Sequence, residues 1–177
     1  MNQMFTVIAA LILLGLTTLG INNMLAVKTT TMLQAEASLN AISIAQTMID
    51  EIETKSYDAA TAGGTKVYDP SNFTAPASLG CNASEASSVP QPDVSTPFKS
   101  VAFYNDVDDY QNYRRVMVTP VMGPFTVVDT VVYVSEDNPD TKLNTQTFYK
   151  RITVTVTHAN MSYPLKLTDV AIYRKYF

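Results

Sequence analysis

Between Met1 and Val27 there is no Asp, Glu, Lys, Arg or His. Charged residues make up 16% of the 177-residue chain, against roughly 25% in an ordinary soluble domain, so the deficit gathers at one end. The chain has one Cys, one His and no Trp. A single thiol excludes an intrachain disulfide, and no spaced Cys/His set exists for a structural zinc site. The formal net charge of -4 argues against a general nucleic-acid binder, which needs surplus Lys and Arg to displace counterions from phosphate. A nucleophile, a base and an orienting group cannot be assembled from this composition, so an anchored enzyme is the weakest reading. With 46% hydrophobic residues the chain is no disordered polymer, and its stability has to come from burial.

The uncharged opening is apolar from Phe5 to Ile21 apart from three threonines, and with Asn22 to Val27 it reaches the ~20 residues that cross a bilayer core. Met1-Asn2-Gln3-Met4 lacks the basic start of a secretory signal, which favours a retained helix over a cleaved one. The same lack is expected of a chain whose leader has already been removed, and the encoded reading frame tests that expectation. The helical pattern continues past Lys28. Apolar residues at Met32, Ala35, Leu39, Ile42, Ala45, Ile49 and Ile52 form one stripe, with Gln34, Glu36, Asn40, Gln46, Asp50 and Glu53 opposite. One helix is expected from about Phe5 to Ser56, ending before Gly63-Gly64.

From Gly63 to about Pro97 the chain is rich in Gly, Pro, Ser, Ala and Asn without a sustained period, which reads as a long surface loop. Beyond it the period switches to two. Strands are expected at Ser100 to Tyr104, Tyr113 to Thr119, Phe125 to Val134, Gln146 to His158 and Pro164 to Tyr176. Ile152, Val154 and Val156 alternate with Arg151, Thr153, Thr155 and Thr157, marking a sheet with one buried face. No helical pattern lies between the runs, so the sheet is expected to be antiparallel. The fold class is therefore α+β: an extended N-terminal helix over 1–57, a loop over 58–99, and a β-sheet head over 100–177. Met32, Leu39, Ile42, Ile49 and Ile52 are expected to cover the sheet.

A charge-free N-terminal helix that continues into an amphipathic half and leads into an antiparallel sheet resembles the type IV pilin and pseudopilin superfamily. The likeness covers the whole chain as architecture, and its sequence support lies in about the first 57 residues. It implies a subunit held in the inner membrane by its apolar half-helix, then extracted by pilus assembly machinery into an extracellular homopolymer with the apolar half-helices at its core. Phe5, Ile8, Leu11, Ile12, Leu14, Gly15, Leu16, Leu19, Ile21 and Leu25 would form that core. Gly15 and Gly20, with Thr17 and Thr18, either allow close helix approach or are ordinary membrane-helix residues. The chain departs from the family pattern in two respects. Position 5 is Phe5 where the family has a glutamate, and the first Glu is Glu36; the usual pair of cysteines is absent. Asn2, Gln3 and Thr6 are the local polar groups left to solvate an N-terminal amine. The likeness is to a divergent branch, or to a filament system that converged on the same plan. The alternative is a membrane-anchored adhesive or ligand-binding β-domain on a helical stalk.

Other candidates are local. Asp106, Asp108 and Asp109 cluster in a turn, suited to calcium or to turn formation alone. No other cofactor is expected. Arg114-Arg115, Lys150-Arg151 and Arg174-Lys175 could form a basic patch or pair with Asp50, Glu51 and Glu53 of a neighbouring helix, with solvated strand positions the adopted reading. His158 reads as a polar strand-end residue. Cys81 is either an exposed thiol that pairs between subunits or a buried inert one. Asn72, Asn82 and Asn160 match the N-glycosylation acceptor pattern. The Phe and Tyr residues read mostly as sheet-face packing.

Overall fold

A computed structural model describes residues 2–174. It is α+β: one helix, α1 (Asn2–Glu53), followed by short helical turns and a four-stranded antiparallel sheet. No Pro occurs before Pro70 and no Gly lies between Gly20 and Gly63, so nothing interrupts the backbone ladder of α1. At 1.5 Å per residue its length is about 78 Å. The helix ends three residues before the expected Ser56. Thr54 and Lys55 close it with tightened bonds to Glu51 and Ile52, and Ser56 already bridges Asp106 as extended chain.

The strands are β1 (Arg114–Thr119), β2 (Gly123–Tyr133), β3 (Tyr149–Thr157) and β4 (Leu165–Ile172), in the order β1-β2-β3-β4. All three pairings are antiparallel. The four correspond to the expected runs with shifted ends; Lys175 and Tyr176, expected in the last run, lie outside the described residues. The fifth expected strand is wrong. Ser100–Phe103 is a helical turn, α3, because Lys55 caps its end by donating from Nζ to the carbonyls of Val101 at 2.8 Å and Tyr104 at 2.9 Å.

The expected stripe of α1 is rotated from the one that packs. Ala37, Ala41, Ile44, Ala45, Met48, Ile49 and Ile52 are buried against Phe125, Val127, Val131, Ile152, Val154 and Val156. Ala37, Ala41 and Ala45, at steps of four, let the helix backbone lie close to the sheet. Ile49 and Ile52 pack as expected, but Met32, Leu39 and Ile42 point away and are 74%, 69% and 47% exposed. Periodicity alone could not choose between two apolar faces: the small residues that suit close packing score weakly against Leu and Met.

The segment 58–99 is a folded strap, not an open loop. It holds helical turns at Ala59–Thr61, Pro70–Asn72 and Pro76–Ser78 and the helix α2 (Ala83–Ser88). Val67, Phe73 and Val89 anchor it in the interior. Its signals were capping residues: Asp58 bonds to Thr61 and Asn82 to Glu85 in reciprocal boxes. Phe73 meets Tyr57, Phe148 and Tyr173 edge-on or tilted at 5.0 to 5.7 Å, in line with aromatic packing.

The rotation of the helix predicts a contrast. Met48→Ala leaves a cavity under the sheet and should cost about 2 to 4 kcal/mol of head stability, whereas Leu39→Ala should change it by no more than about 0.5 kcal/mol. Thermal melting of the two full-length variants in detergent checks this.

Candidate functional site

Two features are not explained by the fold alone: an uncovered apolar helix surface, and a set of ions buried under the sheet. Every residue of α1 from Gln3 to Glu36 is exposed. Phe5, Leu11, Ile12, Leu14, Leu16, Leu19, Ile21 and Leu25 are each 58% to 69% exposed, Ile8 is 43%, and nothing approaches a Cβ placed on Gly15 or Gly20. The helix is long and apolar enough to cross a membrane. Its threonines are prepared for dry surroundings. Thr17 and Thr18 donate to the Leu14 carbonyl, and Thr29, Thr30 and Thr31 donate to carbonyls of Leu25, Ala26 and Val27, at 2.8 to 3.3 Å. A hydroxyl already bonded within its own helix loses little when water is removed.

Beyond Lys28 a row of exposed apolar residues continues at Met32, Ala35, Leu39 and Ile42, spaced by three, four and three, with Leu33 also exposed beside it. The head packs on the other side of the same turns. This half of α1 therefore has two apolar faces, one used within the chain and one open.

Under the sheet, Lys150 is fully buried. Its Nζ donates to Asp108 Oδ1 at 2.6 Å, the Tyr57 carbonyl at 2.7 Å and Asp58 Oδ2 at 2.9 Å, and lies 4.4 Å from the centre of the Tyr57 ring. Asp58 also accepts from the N–H groups of Ala60 and Thr74 and the hydroxyls of Thr74 and Tyr133. Burial works to raise its pKa, but the Lys150 charge and these hydrogen bonds outweigh it and hold the carboxyl below its ordinary value. Asp106 goes the other way. Burial, then its hydrogen bond to the Asp108 carboxyl, pushes it up to about 9, so it carries a proton at neutral pH. Asp109 is raised to about 6 by burial, opposed by the N–H groups of Asn105 and Asp106.

A second buried pair fastens the end of α1. Arg115 donates to Glu51 at 2.6 Å, and Glu51 also accepts from the Ser100 and Tyr110 hydroxyls. Asp129 stands in the inward row of β2 between Val127 and Val131. Neither of its carboxylate oxygens has a hydrogen-bond partner, nor do Nε and Nη2 of Arg115. Burial raises Asp129 well above its ordinary value despite the Arg115 charge.

These geometries correct the reading of the basic pairs. Arg115 and Lys150 are not solvated; each is the inward member of its pair and is buried with a carboxylate. Arg114 and Arg174 are exposed, Arg151 lies on the outer face, and Lys175 is outside the described residues. Of the three aspartates considered for calcium, Asp108 meets Lys150, Asp106 accepts the Asp108 N–H, and Asp109 accepts the N–H groups of Asn105 and Asp106. No group of three His, Cys, Asp or Glu that could hold a metal ion occurs among the described residues. His158 stacks on Phe125 at 4.2 Å and bonds the Met122 carbonyl at the end of β3. Cys81 is half-buried against the core. Asn72, Asn82 and Asn160 are exposed, and Asn82 uses its Oδ1 to cap α2. Compared with family models, curated proteins and solved structures, the chain matches none.

Asp129 yields a pH prediction. An acid whose folded pKa lies above its unfolded one stabilises the fold fully below the unfolded value, and that stability is lost as pH rises. Asp129→Asn should therefore raise the melting temperature at pH 7 by about 2 to 6 °C, with the gain shrinking toward pH 4. Melting curves across that range read it directly.

Proposed function

We propose that the chain is a structural subunit of an extracellular filament built on the type IV pilus plan. It would be held in a membrane before assembly and handed by assembly machinery into a homopolymer whose centre is a bundle of α1 helices. The observation that carries this reading is the open face Met32–Ala35–Leu39–Ile42. Lipid accounts for about 20 residues of apolar helix, and a plain anchor needs nothing more. Here the apolar face runs on for 15 residues past Val27, the last residue of the uncharged stretch, on the side the head leaves bare.

Identical subunits related by a rotation that does not close form a helical fibre, and each open face then meets a neighbouring α1. Burying a few hundred to a thousand Å2 of apolar surface per subunit at about 25 cal/mol per Å2 contributes some 10 to 25 kcal/mol before entropy losses. The back-bonded threonines fit the same demand, since a hydroxyl facing a neighbouring helix needs a partner as much as one facing lipid. The head would then lie outside the bundle, with Asn72, Asn82 and Asn160 on its surface. The structural role requires no catalysis, cofactor or nucleic acid.

Negative-stain microscopy of the native surface fraction should show fibres made of this chain. Leu39→Glu and Ile42→Glu should reduce fibre yield at least tenfold while leaving membrane insertion and head melting unchanged. Monomers in detergent-extracted membranes with no fibres in the wild type would defeat the reading and favour a stalked, membrane-anchored β-domain.

A further inference from the structure

The Lys150 cluster holds an amine and a carboxyl in contact, in a dry site, with the Asp106 carboxyl beside them accepting the Asp108 N–H. We propose that Lys150 and Asp108 condense spontaneously into an isopeptide bond, joining β3 covalently to the turn Asp108–Tyr110, with Asp58 as the base and Asp106 as the proton donor.

The geometry assigns each role. A contact of 2.6 Å from Nζ to Asp108 Oδ1 places the amine at about the 3 to 3.5 Å from the carboxyl carbon that marks a near-attack pair. Lys150, Asp58 and Asp108 have side chains 0%, 0% and 3% exposed, so water neither competes for the amine nor readily returns to hydrolyse the product. The rings of Tyr57 and Tyr133 flank Nζ at 4.4 and 5.2 Å.

Of the two carboxyls on Nζ, Asp58 is the poor electrophile. Two backbone N–H groups and two hydroxyls hold it as an anion, and although they weaken it as a base, its contact with Nζ at 2.9 Å makes it the group that receives the ammonium proton. Asp108 faces instead the protonated Asp106 carboxyl, whose Oδ1 also accepts the Asp108 N–H at 2.9 Å. An acid in that place polarises the Asp108 carbonyl and protonates the departing oxygen.

The step balances. The ammonium gives one proton to Asp58, and the free amine attacks the Asp108 carbon to form the C–N bond. The second nitrogen proton and the proton on Asp58 end on the Asp108 oxygen that leaves as water, relayed through Asp106. The products are a neutral secondary amide, one water, an ionised Asp58 and a protonated Asp106. No oxidant or external reactant takes part, and no part of the inference depends on the filament reading.

The test is tryptic mass spectrometry of the full-length protein purified under native conditions. The expected result is a branched species in which peptide 100–114 is joined to peptide 143–151, lighter than their sum by one water and uncut after Lys150. Cleavage after Lys150 with peptide 100–114 free would overturn the proposal, and so would a link from Lys150 to peptide 56–66, which contains Asp58. The wild-type digest decides this whatever the variants do. Asp106→Ala, checked for a native circular dichroism spectrum, should cut the linked fraction at least tenfold in freshly made protein. Full linkage in that variant would overturn the role given to Asp106. Asp108→Asn should still link, now releasing ammonia, because an amide carbonyl accepts the same attack; a folded Asp108→Asn protein with no link would count against Asp108 as the electrophile.

Discussion

Residues 3–36 of α1 are exposed along their whole length, and much of the remaining structure answers that constraint. A helix apolar on all sides is poorly matched to water, and lipid or other helices would cover it under the proposed function. Apart from the Gln34 to Ser162 hydrogen bond, the head buries α1 from Ala37 onward, on one side, which leaves the rest of the circumference open. The threonines in the apolar half close their own hydrogen bonds.

The head follows a different rule, in which charge is placed inside and matched. Glu51 and Arg115 join the last turns of α1 to β1, while Lys150 joins β3 to both the strap and the turn at Asp108. Breaking either pair would strand an ion in the interior, which costs several kcal/mol, whereas their net contribution intact is small. Such pairs define which elements meet more than how strongly they hold. Asp129 is the exception, an acid set in an apolar row without a hydrogen bond to offset its burial.

What could be read from the residues divides along physical lines. The uncharged run, the long helix and the alternation of β3 are one-dimensional patterns, and they were legible. The packing face of α1 was not, because alanines that permit close approach carry little hydrophobic signal beside Leu39 and Met32. Lys150 and Arg115 were read as solvated for a related reason: alternation places one member of each pair inward, but only the fold shows that a carboxylate waits there. Ser100–Phe103 reads as a strand by composition, and a lysine 45 residues upstream of Ser100 makes it a helix. The strap reads as a loop by composition, although Asp58, Asn82 and Glu85 carry its capping chemistry. For the helix face, the buried ions and Ser100–Phe103 the missing information was a partner distant in sequence, whereas the signal of the strap was local.

The grip of the head on α1 has a mechanical consequence. Side chains from Ala37 to Ile52 are seated along about four turns of helix, and Glu51, Lys55 and Ser56 tie the far end to β1 and to the stretch 100–110. A load along the helix axis must shear all of these seats together, so their resistances add, and failure by peeling one contact at a time is avoided. Tension on the N-terminal half would thus reach the sheet as a distributed load.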